Sequence, residues 1–279
     1  MPLDHYCVMG HPISHSRSPW IHTRFAELTG QALVYQARDI ALDHFAHSVQ
    51  SFVDEGGRGC NITVPFKFQA AALASHTSER ALLAGACNVL TFQDGQVLAD
   101  NTDGLGLVND IERNLQLPLK ARRVLLLGAG GAAAGVLGPL IQAQPSHITV
   151  ANRTVSKASA LVARHQALAT LQNTELLALD LQALKGDFDV IINATASSLQ
   201  GAGVPVAANV LKPGALAYDM MYGAGAQAFL DWARQHGAQP SDGLGMLVEQ
   251  AAEAFLIWRG VRPPAAQVLA ELRLVLGQA

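Results

Sequence analysis

The sequence predicts an α/β fold in two units, and three observations carry that expectation. Short apolar runs alternate with amphipathic ones over the first hundred residues; a second series of short apolar runs follows "DNTDG"; and a glycine-rich stretch, "VLLLGAGGAAAG", opens that second series. Alternation of strand and helix favours a layered fold with a largely parallel sheet. At 279 residues the chain is long enough for two cores, and half of it is hydrophobic against 15% charged, a composition for compact folding.

In order, Tyr6 to Met9 reads as a strand, Pro19 to Leu28 as a helix, Leu33 to Ala37 as a strand and Leu42 to Val53 as a helix. Cys60 to Val64 then reads as a strand, Phe66 to Leu73 as a helix, and "NVLTFQDGQVL" as a hairpin turning at Asp94 and Gly95. A helix over Leu105 to Leu115 and a polar linker from Gln116 to Arg123 lead into the second series. Its strands are Val124 to Leu127, Ile148 to Val150, Val190 to Asn193 and Leu216 to Asp219, short and apolar as buried parallel strands are, with helices between them. A long apolar helix, Met246 to Trp258, and a last one ending near Leu276 follow. This helix pair is expected to pack back on the first unit, so that the chain crosses between units twice.

Composition excludes several classes of function. A net charge of -3 leaves no basic field to collect nucleic acid or acidic lipid, so an anionic ligand must be held by locally placed groups. From Val124 to Ile141, 18 residues carry no charge, a length that could suggest a membrane span. Five glycines and Pro139 within it read instead as strand, turn and helix. The N-terminus has no basic region followed by an apolar run, and Cys7, Cys60 and Cys87 are odd in number without ligand spacing, which predicts reduced thiols in a cytoplasm. His11, His15 and His22 share no spacing with acidic or thiol partners, so no metal is expected.

In "VLLLGAGGAAAG", Gly128, Gly130 and Ala133 occupy the small positions of G-x-G-x-x-G/A between a strand and a helix. The first permits a tight turn, the second lets a pyrophosphate approach the backbone, and the third lets helix and strand pack closely. A dinucleotide site of the Rossmann type is therefore expected, the alternative being a small-residue packing device. An NAD site carries an acidic residue at the end of the next strand. Here that region reads "VANRTVSK", with Asn152, Arg153, Thr154 and Lys157 and no carboxylate, which suits the 2′-phosphate of NADP. On its own terms the stretch could also be a solvated loop with Thr154 as N-cap.

Two further stretches concern a substrate. In "NITVPFK", Lys67 is the only formal charge between Arg58 and Glu79, an isolated cation at the start of a helix where the dipole disfavours it. In "GHPISHSRSPWIH", Ser18 and Pro19 read as N-cap and first helical residue, while Ser16 has no such explanation. Hydroxyls at a helix start can hold a carboxylate, so an acidic small molecule is a candidate ligand.

"GHPISHSRSP", "NITVPFK", "GACNVL", "DNTDG", "GAGGAAAG", "NRT", "INAT", "YDMMY" and "DGLGMLVEQAAEAF" occur in this order from about Gly10 to Phe255, and as a set they resemble the shikimate dehydrogenase family. The resemblance implies an NADP-dependent oxidoreductase of a CH–OH group that reduces 3-dehydroshikimate to shikimate in aromatic amino-acid biosynthesis. It also implies a substrate domain, residues 1–104 completed by 244–279, facing a Rossmann-like NADP-binding domain, residues 105–243, across a cleft. Small molecules would be the partners, with no nucleic acid or membrane, and the protein would be a monomer or homodimer. Carried over by position, the catalytic pair falls on Lys67 and Asp103. Carboxylate-binding serines fall on Ser16 and Ser18, and hydroxyl contacts on Thr63, Asn88, Asp103 and Gln250, with Tyr222 nearby. Cofactor contacts fall on Gly128, Ala129, Gly130, Gly131 and Ala132, on Asn152, Arg153, Thr154, Val155, Ser156 and Lys157, and on Met220, Gly243 and Glu79. Lys157 stands where an arginine is common, and "INATASS" departs slightly from the family's loop. Read singly, Asn88 could satisfy backbone before a hairpin, Gln250 could be a polar residue on an apolar helix, and Asp103 could cap the helix that follows. A quinate/shikimate dehydrogenase of broader specificity and a catalytically silent NADP-binding sensor remain as alternatives.

Overall fold

The computed structural model describes residues 3–195 and 206–277. The chain forms two compact units, one of Met1–Gly106 with Leu247–Ala279 and one of Leu107–Met246.

The first unit is built on strands β1 (Asp4–Gly10), β2 (Leu33–Asp39), β3 (Gly57–Ile62), β4 (His76–Thr77), β5 (Val89–Gln93) and β6 (Gln96–Asp100), ordered β2-β1-β3-β5-β6-β4. β1 runs parallel to β2 and β3, and β4 to β6, whereas β5 lies antiparallel to both β3 and β6. Asp94 and Gly95 turn the hairpin at φ of 50° and 74°, the positive values that a two-residue turn matched to strand twist demands. Helices α1 (Ser18–Thr29), α2 (Phe45–Asp54), α3 (Lys67–Ala72) and α4 (Glu79–Ala84) lie between the strands. The apolar sequence of β1 has a direct cause. Cys7 and Met9 join Phe45, Phe52, Cys60 and Phe66 in one core cluster, while Tyr6 and Val8 join Ile13 and Tyr35 in another. Successive side chains of a strand point to opposite faces, so a strand covered on both sides is apolar throughout.

The second unit holds β7 (Arg123–Leu127), α6 (Gly131–Gln142), β8 (His147–Ala151), α7 (Val155–Leu171), β9 (Glu175–Leu179), β10 (Phe188–Asn193), β11 (Leu211–Asp219), α8 (Gln227–Gln235) and β12 (Gln239–Ser241). Every pairing in its sheet is parallel and the order is β12-β11-β10-β7-β8-β9. The sheet winds outward in both directions from β7 and β10, the doubly wound arrangement. Val124 and Leu126 feed the core on one face, and Leu125 and Leu127 the core on the other.

α5 (Asp103–Asn109) and α9 (Leu244–Arg259) carry the chain from one unit to the other, and α10 (Ala265–Val275) closes it. The helix expected over Leu105 to Leu115 begins at Asp103 and gives way to a wider turn, Asp110–Asn114, in which the Leu115 N–H reaches the Asp110 carbonyl at 2.9 Å. The buried Asp110 carboxylate accepts from Tyr218 Oη at 2.6 Å and Asn114 Nδ2 at 2.8 Å, and Gly245 leaves it room where a Cβ would collide. Satisfying a buried carboxylate outweighs regular helical bonding over one turn. Among the described residues no helix is long and apolar enough to cross a membrane.

Candidate active site

Sheet topology gathers the first unit's candidates at one end. β1 and β3 are parallel neighbours with Met9 opposite Ile62, so the segments carrying Ser16, Ser18 and Thr63 leave the same edge. The Thr63 N–H donates to Met9 O at 3.0 Å and His11 N–H to Val64 O at 3.1 Å, which ties the two segments together. β5 enters at that edge and β6 returns to it, so Asn88 and Asp103 arrive beside them: Ile62 N–H donates to Asn88 O at 2.8 Å and Asn88 N–H to Asp100 O at 3.1 Å. Lys67 is the first residue of α3, held there by Phe66, which is buried and stacks on Phe45 at 4.7 Å between centroids.

Lys67, Asn88 and Asp103 form one polar cluster with Thr102 and Gln250. Lys67 Nζ donates to Asp103 Oδ2 at 2.5 Å, and Asn88 Nδ2 donates to Asp103 Oδ1 at 2.8 Å. The Lys67 and Asp103 side chains are 24% and 10% exposed, so the pair keeps an opening to solvent while most of it is dry. Asn88 Nδ2 also lies 3.0 Å from Thr102 Oγ1 and 3.1 Å from Gln250 Oε1. The Asn88 amide thus has three acceptors within reach of its two hydrogens, which fixes its orientation in the cluster. Gln250, on α9, fixes its own amide by donating to Leu247 O at 2.8 Å. Asp103 opens α5, but its carboxylate oxygens accept from Asn88 and Lys67, and it is Asn101 Oδ1 that accepts from the Asp103 N–H, at 3.1 Å.

Ser18 corrects one expectation. The N-cap of α1 is Arg17 without a side-chain bond, and Ser18 and Pro19 are the first two helical residues. Ser16 Oγ instead accepts from the Ser18 N–H at 3.3 Å, which leaves the proton of its own hydroxyl to be donated elsewhere. Ser18 is buried and Ser16 half-buried. Tyr222 belongs to the second unit, half-buried between β11 and α8, whereas the other substrate candidates belong to the first. Glu79 opens α4 in the first unit and is exposed.

In the second unit the candidates sit at the carboxyl ends of β7, β8 and β11 and just after β12. Gly128 takes φ +106°, with the Ala194 carbonyl 3.1 Å from where a Cβ would be, so only glycine turns there without strain. At Gly130 a Cβ would meet nothing within 4 Å, and this open space lies at the N-terminus of the 12-residue α6, whose first turn bears no acid. Free N–H groups, a positive dipole end and room for a phosphate occur together, so the residues fit a dinucleotide. At the end of β8, Arg153, Thr154, Val155, Ser156 and Lys157 are exposed, and among the described residues neither Arg153 nor Lys157 joins an ion pair. Thr154 stands at the cap of α7 but makes no side-chain cap bond, while Asn152 Nδ2 donates to Thr154 O at 2.9 Å. Gly243 has a structural reason as well: a Cβ there would lie 2.3 Å from the Met220 carbonyl. Of "INATASS", residues 196–198 lie outside the described residues.

Asn101 and Thr102, inside "DNTDG" but not among the residues expected at the site, bind Asp103 and Asn88 directly. Their signal was polar residues packed next to a candidate acid. Among the described residues no group of three or more His, Cys, Asp or Glu is arranged to hold a metal ion.

A doubly wound sheet with a phosphate-ready turn, joined to a second α/β unit bearing a lysine–carboxylate pair, defines a two-unit α/β protein of the dinucleotide-binding class. Comparison with known proteins resolves the class further. Residues 8–90 match the family model described as the shikimate dehydrogenase substrate binding domain, 110–203 the shikimate / quinate 5-dehydrogenase, and 243–273 the shikimate 5′-dehydrogenase C-terminal domain. The shikimate dehydrogenase (NADP(+)) of Acidovorax sp. (strain JS42) is 68% identical over 98% of this chain and 97% of its own. Among solved structures, the Ael1 enzyme from Pseudomonas putida is 49% identical with a TM-score of 0.89, covering 96% of this chain and 98% of that one. Shikimate 5-dehydrogenase from Thermus thermophilus, solved with NADP(H) and shikimate, is 28% identical with a TM-score of 0.82, covering 98% and 99%. The chain belongs to the shikimate dehydrogenase family.

Proposed function

We propose that this chain interconverts 3-dehydroshikimate and shikimate with NADP, the reductive direction serving aromatic amino-acid biosynthesis through chorismate. The observation that carries the reading is the 2.5 Å contact of Lys67 Nζ with Asp103 Oδ2, with Asn88 on the other carboxylate oxygen. NADPH, when bound, supplies the hydride to the ring carbonyl carbon.

Lys67 has three N–H donors; one is given to Asp103 and the others are free for the substrate oxygen. There the ammonium stabilises charge developing on oxygen, and the Lys67–Asp103 pair delivers the proton that completes the hydroxyl and takes it back in oxidation. Asp103 also keeps the ammonium aimed. Asn88, Gln250 and Thr63 take the ring hydroxyls, and Ser16 and Ser18 take the ring carboxylate. Gly128, Ala129, Gly130, Gly131 and Ala132 receive the pyrophosphate at the start of α6. Asn152 to Lys157 receive the 2′-phosphate and adenosine end, Arg153 through its planar donor fork. Met220 and Gly243 serve the nicotinamide end. Cys7, Cys60 and Cys87 are buried free thiols, which supports a reducing compartment such as the cytoplasm.

A dehydrogenase that also accepts quinate is the second reading, since the family matched over residues 110–203 is that of shikimate / quinate 5-dehydrogenases. The test of the proposal is Lys67→Ala. Positioned proton transfer contributes about 10²- to 10⁴-fold, and kcat for shikimate oxidation is expected to fall by that factor while shikimate and NADP still bind. Near-normal turnover in this variant would remove Lys67 from the chemistry.

A further inference from the structure

We propose that Arg80 and Asp100 are a positioning pair that holds the Asp103 carboxylate in register with Lys67, acting through Asn101. The proposal rests on the reading of Lys67 and Asp103 given above. Asp100 is the last residue of β6. Its Oδ1 accepts from Ser78 Oγ at 2.6 Å, Arg80 Nε at 2.7 Å and the Asn101 N–H at 2.7 Å, and its Oδ2 accepts from Arg80 Nη2 at 2.6 Å. Arg80 thus grips the carboxylate by two parallel bonds, a geometry that fixes direction as well as distance.

The bond to the Asn101 N–H connects this grip to the candidate active site. Asn101, 2% exposed, donates from Nδ2 to Ala86 O at 2.9 Å and accepts at Oδ1 from the Asp103 N–H at 3.1 Å. The main chain of Asp100 works in the same direction, its carbonyl accepting from the Asn88 N–H at 3.1 Å. Asp100 is therefore bonded to both residues that fix Asp103: Asn101 at its N–H and Asn88 at its carboxylate. A partly exposed ion pair by itself stabilises little. The Arg80 and Asp100 side chains are 30% and 21% exposed, and α4 already has its cap in Ser78, which accepts from the Ala81 N–H at 3.3 Å. What the pair adds is a fixed direction for the segment leading to Asp103. Sub-ångström placement of a reacting group decides rate far more than stability, since a shift of about 1 Å can cost about a hundredfold.

The test uses the full chain with shikimate and NADP. Asp100→Asn keeps the side chain's shape, removes its charge and leaves Arg80 unpaired; kcat is expected to fall about tenfold with the KM for NADP within about twofold of wild type. Arg80→Lys, which keeps the charge and loses the fork, is expected to lie between wild type and Arg80→Gln. Made in an Asp103→Asn background, Asp100→Asn is expected to lower kcat by less than about twofold, because its route to the chemistry is already cut. A residue that only kept the unit folded would cost the same factor in both backgrounds. That equality, or a normal kcat for Asp100→Asn in the otherwise wild-type chain, overturns the proposal. If Asp100→Asn does not fold, Arg80→Gln carries the same cycle with the same two outcomes. The site reading fails separately, through an active Lys67→Ala.

Discussion

At the scale of single residues, the chemistry of the site follows from where charge is placed and what meets it. Lys67 is the sequence's isolated cation, and the structure puts its ammonium on Asp103. Arg153 is the opposite case, exposed and in no ion pair among the described residues. Charge-assisted hydrogen bonds contribute about 1.5 to 3 kcal/mol, so Arg153→Ala is expected to weaken NADP binding by roughly ten- to a hundredfold. NAD binding, measured in the same titration, is expected to stay nearly unchanged; equal losses would mean that Arg153 does not read the 2′-phosphate. For Ser16→Ala and Ser18→Ala the expected change is in the substrate KM with kcat largely kept, because a carboxylate remote from the reacting carbon is held alike in ground and transition states. Unchanged KM values in both folded variants would place the carboxylate elsewhere. Lys67 stands out in the sequence as the one formal charge between Arg58 and Glu79, whereas Asp103, three residues after Asp100, was singled out only through the family resemblance. Asn101 and Thr102 were signalled only by their position beside a candidate acid, since their bonds to Ala86 and Asn88 cross the hairpin and spacing along the chain does not reveal them.

At the scale of elements, legibility followed burial. β7, β10 and the second half of β11, from Ala215 to Tyr218, are largely apolar because both sheet faces are covered, and such runs announce themselves. β4 has two residues, β12 three and α4 six, too short for periodicity to register. α4 still carried end signals, Ser78 at its start and Gly85 at φ 65° at its end. α1 supplies a further prediction. His22 is 1% exposed, stacks on Tyr35 at 4.1 Å and leaves Nε2 without a hydrogen-bond partner, and burial brings its pKa from 6.5 to about 3. An unfolded chain takes up this proton near pH 6.5 and the folded one does not until about pH 3, so stability falls as pH drops through that window. Between pH 7 and pH 5 the loss from this group is about 2 kcal/mol. Denaturant unfolding at the two pH values is expected to show that extra loss in the wild type and not in His22→Leu; parallel curves would show that His22 titrates normally.

At the scale of the whole molecule, two α/β units divide the work: one presents hydroxyls, amides and a lysine–carboxylate pair, the other a phosphate-ready turn and a basic strand end. The strand order of the second sheet, with β9 and β12 at the edges, is seen only in the structure, while its parallel, Rossmann-like character was readable from strand–turn–helix alternation and the glycine turn. The mixed first sheet was less so, because β3 meets a hairpin whose antiparallel entry is a matter of tertiary pairing. The central claim is that this division serves NADP-linked oxidation of shikimate. It is tested most directly by the initial rate of nicotinamide reduction, read by absorbance, with the purified chain and shikimate or quinate, each with NADP or NAD. The fastest rate is expected with shikimate and NADP, and weaker rates in the other three combinations. A rate with NAD equal to that with NADP, or no reduction with shikimate by folded protein, would contradict the account.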